Sequence, residues 1–295
     1  MSRKIAVLGS AGQLGVELVT QLRARGCEVA AWDKPELDIT DPAATERELT
    51  GLAPDLVINS AAYNMVDVAE QEPLAAFQVN ALAVRNIAVA CRQMDVPLVH
   101  YSTDYVFDGT SGRPYTEEDR PHPLGAYAVS KLAGELYAQA YLDETLIIRT
   151  SGVYGPGGLA TARGNFVETM LLLAQKGQPI RVTRDNVASP AYAPALAGRT
   201  LALLDRGARG IYHVGGGVPV SWFDFAALIF EAAGLKPELR PSDAREYRTA
   251  ARRPKYSALS NAKMEALGVA PMPPMREALE DYFRRRRERV TPPPA

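Results

Sequence analysis

The first 150 residues alternate short apolar runs with stretches of helical spacing. That alternation restricts the fold more than any other feature of the chain. "KIAVLG" (4–9), "EVAAWD" (28–33), "DLVINSAA" (55–62), "PLVHYST" (97–103) and "TLIIRTS" (145–151) have the near-continuous apolar character of strands buried on both faces of a parallel sheet. Between them, residues 13–26, 41–53, 73–94 and 126–142 repeat apolar positions at helical intervals. Strand and helix in turn predict right-handed βαβ units and an α/β, doubly wound sheet. No repeat at a solenoid period interrupts the pattern.

Beyond about residue 150 the pattern loosens into glycine- and proline-rich loops, "YGPGGLATARGN" and "HVGGGVPVSW". Helices are expected near 165–176 and 221–233. The segments 178–186 and 210–216 look like strands returning to the first sheet. The expected layout is a nucleotide-binding unit over 1–152, a smaller substrate-binding region woven mainly from 153–290, and a disordered tail at 291–295. "RRRRERV" after Tyr282 reads as a solvated helix end rather than a nucleic-acid arm.

Composition removes several alternatives. With 47 % hydrophobic and 23 % charged residues and a net charge of −1, the 295-residue chain has the balance of a globular protein and no global attraction to nucleic acid or anionic membrane. Two cysteines, Cys27 and Cys91, make no disulfide framework, and His100, His122 and His213 are too scattered for a metal site. The apolar run at the N-terminus is too short for a signal peptide, and no 18-residue apolar run is evident, so a reducing cytoplasm is expected.

"GSAGQLG" places Gly9, Gly12 and Gly15 directly after the first strand and at the start of a helix. A backbone free of Cβ atoms can approach a pyrophosphate closely, and the helix N-terminus offers N–H donors and a positive dipole end. A glycine triplet can also be a plain connector; the strand-before, helix-after context favours a Rossmann-type dinucleotide site. Asp33 ends the second strand about 20 residues later, where a carboxylate can bond the adenine ribose. Lys34 follows and could meet a 2′-phosphate, so NADPH and NADH both stay open.

Tyr127 and Lys131 stand at i and i+4 on one helix face, with Ser130 on an adjoining face. Alone, such a pair is an ordinary surface pair. Beside a dinucleotide turn it gains meaning, because an ammonium stabilises a phenolate and brings tyrosine toward useful acid–base chemistry. The fourth strand ends in "YSTDYVFDG", which puts the Ser102 and Thr103 hydroxyls at the carboxyl edge where such folds bind ligands.

Together, Gly9-x-x-Gly12-x-x-Gly15, "NSAA" and Tyr127-x-x-x-Lys131 resemble the extended short-chain dehydrogenase/reductase family. Within it, "GQLG", "LDITD", "PDLVINSAAYNMVDVAE", "VNA", "HYSTDYVFDG", "YAVSKLAGE", "RTSGVYG", "GNFVETML", "GIYHVGGGVPVSWFDFA" and "ARRPKYSAL" are similar to the dTDP-4-dehydrorhamnose reductases, from residue 5 to about 285. The resemblance implies NADPH or NADH as cofactor and reduction of the C4 keto group of a nucleotide-activated deoxysugar. It implies a catalytic set of Thr103, Tyr127 and Lys131. Gly12, Gln13 and Leu14 would line the pyrophosphate; Asp33, Asp38 and Ile39 the adenosine; Ala62, Tyr63, Asn64 and Tyr101 the remaining cofactor wall. Thr103, Asp104, Tyr105, Gly152 and Arg253 would face the substrate. No nucleic-acid or membrane partner is implied, and a homodimer is compatible with the pattern.

The departures gather on the substrate side. Where the family has Arg-Thr-Ser-Trp, this chain has Arg149, Thr150, Ser151 and Gly152, which removes a flat apolar surface. Ala188 and Ala191 replace a glycine and a threonine around Pro190, and "PGGLATARG" (156–164) lengthens the loop after Gly152. His100 and His213 read as packing residues. Trp222 reads as the start of an apolar face with Phe223, Ala226, Ala227 and Phe230. Arg252 and Arg253 read either as a diphosphate clamp or as a solvated pair. Two alternatives are a related nucleotide-sugar epimerase or dehydratase and a cofactor-binding regulatory subunit without turnover; for a dehydratase Asp104 stands at the acidic position, but Tyr105 occupies the place of the second acid and "STDYVFDG" resembles the reductase form.

Overall fold

The computed structural model describes residues 3–160, 164–243 and 249–290. Its central feature is a six-stranded, all-parallel sheet of β1 (Lys4–Leu8), β2 (Glu28–Trp32), β3 (Leu56–Asn59), β4 (Leu98–Thr103), β5 (Thr145–Thr150) and β8 (Gly210–His213), in the order β2-β1-β3-β4-β5-β8. The order reverses at β1, and the carboxyl ends there form the crevice in which open α/β sheets bind ligands.

The apolar runs divide cleanly between the two sheet faces. Ile5, Val7, Leu56, Ile58, Val99, Leu146 and Ile148 enter one core, while Ala6, Leu8, Val57, Leu98 and Ile147 enter the other. Successive side chains on a strand point to opposite faces, so a strand covered on both sides must be apolar throughout. α1 (Gln13–Ala24) and α7 (Ala193–Asp205) pack on the first face; α2 (Pro42–Leu52), α4 (Ala83–Met94) and α5 (Ala126–Tyr141) pack on the second. α3 (Pro73–Phe77) leads through a π-helical turn, Gln78–Leu82, into α4. The run Pro73–Met94 is, by length and a mean hydropathy of 1.4, apolar enough to cross a membrane, which the sequence reading overlooked. Half of that window is buried against the sheet and neighbouring helices, as a core helix requires.

A third core lies beyond the sheet's carboxyl edge. It joins Tyr154, α6 (Phe166–Gln175), β6 (Ile180–Thr183), α8 (Trp222–Ala233) and α10 (Met275–Val290). β8 adds to the edge of the main sheet beside β5. The segment 178–186 does not join it: β6 pairs instead with β10 (Leu239–Ser242) in a separate two-stranded parallel sheet. Its alternation explains the difference, because Ile180 and Val182 bury toward α8 while Arg181 and Thr183 do not, a half-covered strand unsuited to a doubly covered sheet. A second small sheet pairs β7 (Val187–Ala188) with β9 (Val220–Ser221). α9 (Ala262–Ala266) returns to the first core through Met264.

The arginine run is a solvated helix end only in part: Arg284 and Arg287 are exposed, while Arg285 and Arg286 are not. Arg285 pairs with Glu17 of α1 at 3.1 Å, and Arg286 pairs with Glu168 of α6 at 2.8 Å. Tyr282 also donates its hydroxyl to Glu168. α10 is thereby tied to both units. The expected tail, 291–295, lies outside the described residues.

One polar contact sets the seat of α5. Arg149 on β5 donates through Nε and Nη2 to both carboxylate oxygens of Glu135, at 2.9 and 2.7 Å, and Ser102 on β4 donates to the same carboxylate. Glu135 is 1 % exposed and Arg149 2 %. Removing one member of a buried pair leaves the other charge uncompensated, which costs about 3–5 kcal/mol. Glu135→Gln is therefore expected to lower the urea-unfolding free energy by that amount; a loss below about 1 kcal/mol would show that the pair does not hold the helix.

Candidate active site

The glycine turn begins where β1 ends. Gly9 adopts φ +75°, and the Gly9 and Ser10 N–H groups both donate to the Trp32 carbonyl, at 2.9 and 3.1 Å. A Cβ on Gly15 would lie 2.2 Å from the Gly9 carbonyl oxygen, so only glycine lets α1 start this close to the strand. α1 has no side-chain N-cap and no acidic residue in its first turn, which leaves its N–H groups and dipole end unopposed. That is the chemistry of a pyrophosphate cradle. Asp33 closes the turn by accepting from the Ala11 N–H at 2.9 Å.

Several residues expected on the cofactor wall have buried side chains, which leaves them their backbone to offer. Leu14, Ile39 and Tyr101 bury their side chains in the cores, and the Tyr101 hydroxyl is bonded to Thr200 at 2.7 Å. Asp38 spends its carboxylate on Thr40, and those bonds hold its pKa below the usual value. The Gln13 amide donates to the Val153 carbonyl at 2.8 Å and accepts from Asn165 at 3.3 Å, so it ties the turn to the loop after β5. Ala62, Tyr63 and Asn64 form the loop after β3, beside the glycine turn.

The catalytic candidates converge at the carboxyl end of β4. Thr103 Oγ1 accepts from the Tyr105 N–H at 3.1 Å, and the Tyr105 ring meets the Tyr127 ring edge-on, with centroids 6.2 Å apart. Tyr127, 9 % exposed, donates a long 3.4 Å bond to Asn64 Oδ1. Lys131, 3 % exposed, lies one turn further along α5 and donates to the Tyr101 carbonyl at 2.6 Å. Burial pulls its ammonium down to about 8, a drop that the Glu135 carboxylate opposes. It stays charged at neutral pH.

Arg253 lies beside Tyr105. It forms a two-pronged ion pair with Asp67, at 3.0 and 2.6 Å, and hydrogen-bonds Tyr105. Arg252 is exposed beside a small cavity lined by Val66, Glu70, Tyr105, Tyr127 and Gly125. The two arginines are thus not an equivalent solvated pair.

Asp104 departs from its expected place. Its side chain is 2 % exposed and turned into the protein, where it accepts from Thr103 (3.1 Å), Ser151 (2.8 Å) and Ser257 (2.5 Å). It cannot offer a carboxylate to a substrate. It joins the ends of β4 and β5 to the segment around Ser257. The apolar face expected to begin at Trp222 is largely core: α8 buries Phe225, Ala226, Ile229 and Phe230, Trp222 and Phe223 are half-buried against the same core, and only Ala227 departs by being exposed. His100 and His213 are fully buried, bonded through Nδ1 to Asn59 (3.3 Å) and to the Tyr115 carbonyl (3.0 Å).

The sequence reading assigned no role to Asn80, which is 1 % exposed in the π-helical turn. It accepts from the Tyr63 N–H and donates to the Tyr63 carbonyl and Ser130, locking the cofactor-wall loop onto α5. "VNA" was its only signal. Glu135 was legible as an acid at i+4 from Lys131 on the buried face of the helix.

Burial raises Asp104 from 3.8 to about 6, against the pull of its three hydroxyl donors. A carboxyl raised in the folded state contributes stability below the unfolded value, lost as pH rises through the folded one. That rise is worth roughly 2–3 kcal/mol. Wild type should therefore lose stability relative to Asp104→Asn by that amount between pH 4 and pH 7, read as paired urea midpoints. Parallel curves would remove Asp104 as the titrating group.

Comparison with known proteins follows the same lines. Residues 3–288 match the family model described as the RmlD substrate binding domain. A spore coat polysaccharide biosynthesis protein of Bacillus subtilis is 39 % identical over 283 residues, covering 96 % of this chain and 98 % of the relative. A dTDP-4-dehydrorhamnose reductase of Mycobacterium tuberculosis is 39 % identical, covering 94 % and 91 %. The crystal structure of dTDP-4-dehydrorhamnose reductase from Bacillus anthracis in complex with NADP superposes with a TM-score of 0.91 at 35 % identity, covering 97 % of this chain and all of that one.

Proposed function

The chain belongs to the RmlD substrate-binding-domain family, and on that premise we propose that it reduces the C4 keto group of a nucleotide-activated deoxysugar at the expense of NADPH or NADH, converting dTDP-4-dehydro-L-rhamnose to dTDP-L-rhamnose. The observation that carries this reading is the convergence of Thr103, Tyr127 and Lys131 at the carboxyl end of β4, beside an uncapped helix N-terminus.

The residues around the glycine turn fit a dinucleotide. The open N–H groups at the start of α1 would hold its pyrophosphate and the Asp33 side its adenosine end, while Lys131 would reach its ribose. When bound, the reduced nicotinamide supplies the hydride that reaches the sugar C4. Tyr127 gives its phenolic proton to the C4 oxygen, completing the alcohol. Lys131 places a positive charge near the phenolate left behind, which lowers the cost of that transfer. Thr103 orients the same oxygen through its hydroxyl, whose proton otherwise rests on Asp104. Arg253, held by Asp67, meets the diphosphate at the mouth.

In this reading the third core, drawn mainly from 153–290, is the substrate-binding region. A dehydratase would need an acid after Thr103 facing the sugar, and the buried Asp104 carboxyl does not provide one. Cys27 and Cys91 are free thiols, in keeping with a reducing cytoplasm.

The test is loss of nicotinamide absorbance with dTDP-4-dehydrorhamnose and NADPH or NADH. Tyr127→Phe is expected to lose about 10²–10⁴-fold in kcat with little change in cofactor Kd, since a positioned general acid contributes that much. Undiminished turnover by the variant would rule out Tyr127 as proton donor.

A further inference from the structure

Gly152 follows Thr150 and Ser151 at the carboxyl end of β5, and Thr150 is the register partner of Thr103 on β4. Gly152 thus lies just past the strand end that pairs with Thr103, on the side of the sheet edge where Thr103 and Tyr127 stand.

The space over Gly152 is occupied. A Cβ built there would lie 3.0 Å from Trp222 Cη2, and Gly152 is held at φ +46°, where L side chains are strained. A Cβ at 152 would be tighter against the indole than ordinary contact, so the ring packs directly over this glycine. Trp222 therefore delivers its ring, from α8, to the exposed end of β5.

The indole is also held firmly. Ser221 caps α8 by accepting from the Asp224 N–H at 3.0 Å, and the Trp222 N–H donates to the Asn186 carbonyl at 3.2 Å. Behind the ring, Phe166 packs at 4.7 Å and Phe225 at 6.1 Å between centroids. Trp222 is nevertheless only half-buried, and its indole N–H makes no hydrogen bond among the described residues. A rigid, partly exposed aromatic face with a free donor at its rim suits a ring that is apolar on one face and hydroxylated at its edge.

We propose that Trp222 is a specificity-determining residue, the apolar wall against which the sugar ring of the nucleotide sugar lies. This rests on the reductase reading above. Trp222 acts on the sugar and not on the nucleotide, so its removal should weaken sugar recognition selectively.

The experiment compares wild type, Trp222→Phe and Trp222→Ala for kcat and KM with dTDP-4-dehydrorhamnose, for the inhibition constant of dTDP alone, and for NADPH affinity. Trp222→Ala is expected to raise KM at least tenfold with a smaller change in kcat, while dTDP inhibition and NADPH affinity stay within about twofold; Trp222→Phe should fall between. A merely structural tryptophan would shift dTDP and sugar together, which would overturn the assignment, as would an unchanged KM. Should the alanine variant fail to fold, the phenylalanine variant and fluorescence decide. Trp32 and Trp222 are the only tryptophans, so in a Trp32→Phe background dTDP-L-rhamnose should quench emission and dTDP should not. Equal quenching by both removes the proposal. Absence of any wild-type turnover strikes the reductase reading itself.

Discussion

The buried pair between Glu135 and Arg149 is the contact on which the site depends. α5 carries Tyr127, Lys131 and Glu135 at successive i+4 positions, so the three share one stripe facing the sheet. Ala128, Gly134 and Ala138 on the buried face of α5 would by themselves let the helix settle against the sheet at several rotations. A carboxylate that must meet both the guanidinium of β5 and the Ser102 hydroxyl of β4 permits one. Such a pair contributes little net stability against its desolvation cost, and its value lies in the geometry it imposes. Fixing Glu135 fixes Lys131 one turn earlier and Tyr127 one turn before that.

The two halves of the proposed site are built by different means. The nucleotide end is backbone: a turn of glycines, the start of a helix, and buried side chains such as Leu14 and Ile39 that only support the main chain. The sugar end is made of side chains brought from distant positions, with Asp104 drawing Ser151 and Ser257 together and Asp67 holding Arg253. Backbone recognition tolerates side-chain change outside the glycines. Side-chain recognition from separate segments allows one end of the molecule to be retuned while the cofactor end stays constant.

This division also governs how much could be read from the sequence. The sheet was legible because a doubly covered strand must be apolar throughout, and the helices because their spacing is regular; Ile5 to Leu8 and Leu146 to Ile148 announce themselves. Tyr127, Lys131 and the glycines were legible because their chemistry needs fixed local spacing. Asn80, Asp67 and Ser257 were not, since each acts on a residue more than 15 positions away and no local pattern encodes that. β6 was placed on the wrong sheet because a short run such as "PIRVT" gives its partner no signature. Arg285 and Arg286 of α10 looked solvated because Glu17 and Glu168, which they meet, lie in other helices.

The departures at 152, 188 and 191 look like independent losses along the chain, and in space they are neighbours. Ala191 donates its N–H to the Ser151 carbonyl and Pro190 lies 3.4 Å from the Cβ position of Gly152. Ala188 pairs with Val220 in the short sheet whose other pair, Val187 and Ser221, leads directly into Trp222. The segment 187–191 thus runs from the base of the tryptophan to the end of β5, underneath the ring. Small residues along it keep the backbone of that segment close to β5, and the absent side chain at 152 leaves the space that the indole enters. One close-packed unit accounts for all three positions: the wall beside the sugar is supplied from α8 instead of from the strand. Holding the proposed wall on a helix of the third core couples the shape of the sugar pocket to the packing of α6 and α8, where Phe166 and Phe225 meet the indole, and leaves β5 and the residue after it free to carry Arg149 and Ser151 to their buried partners.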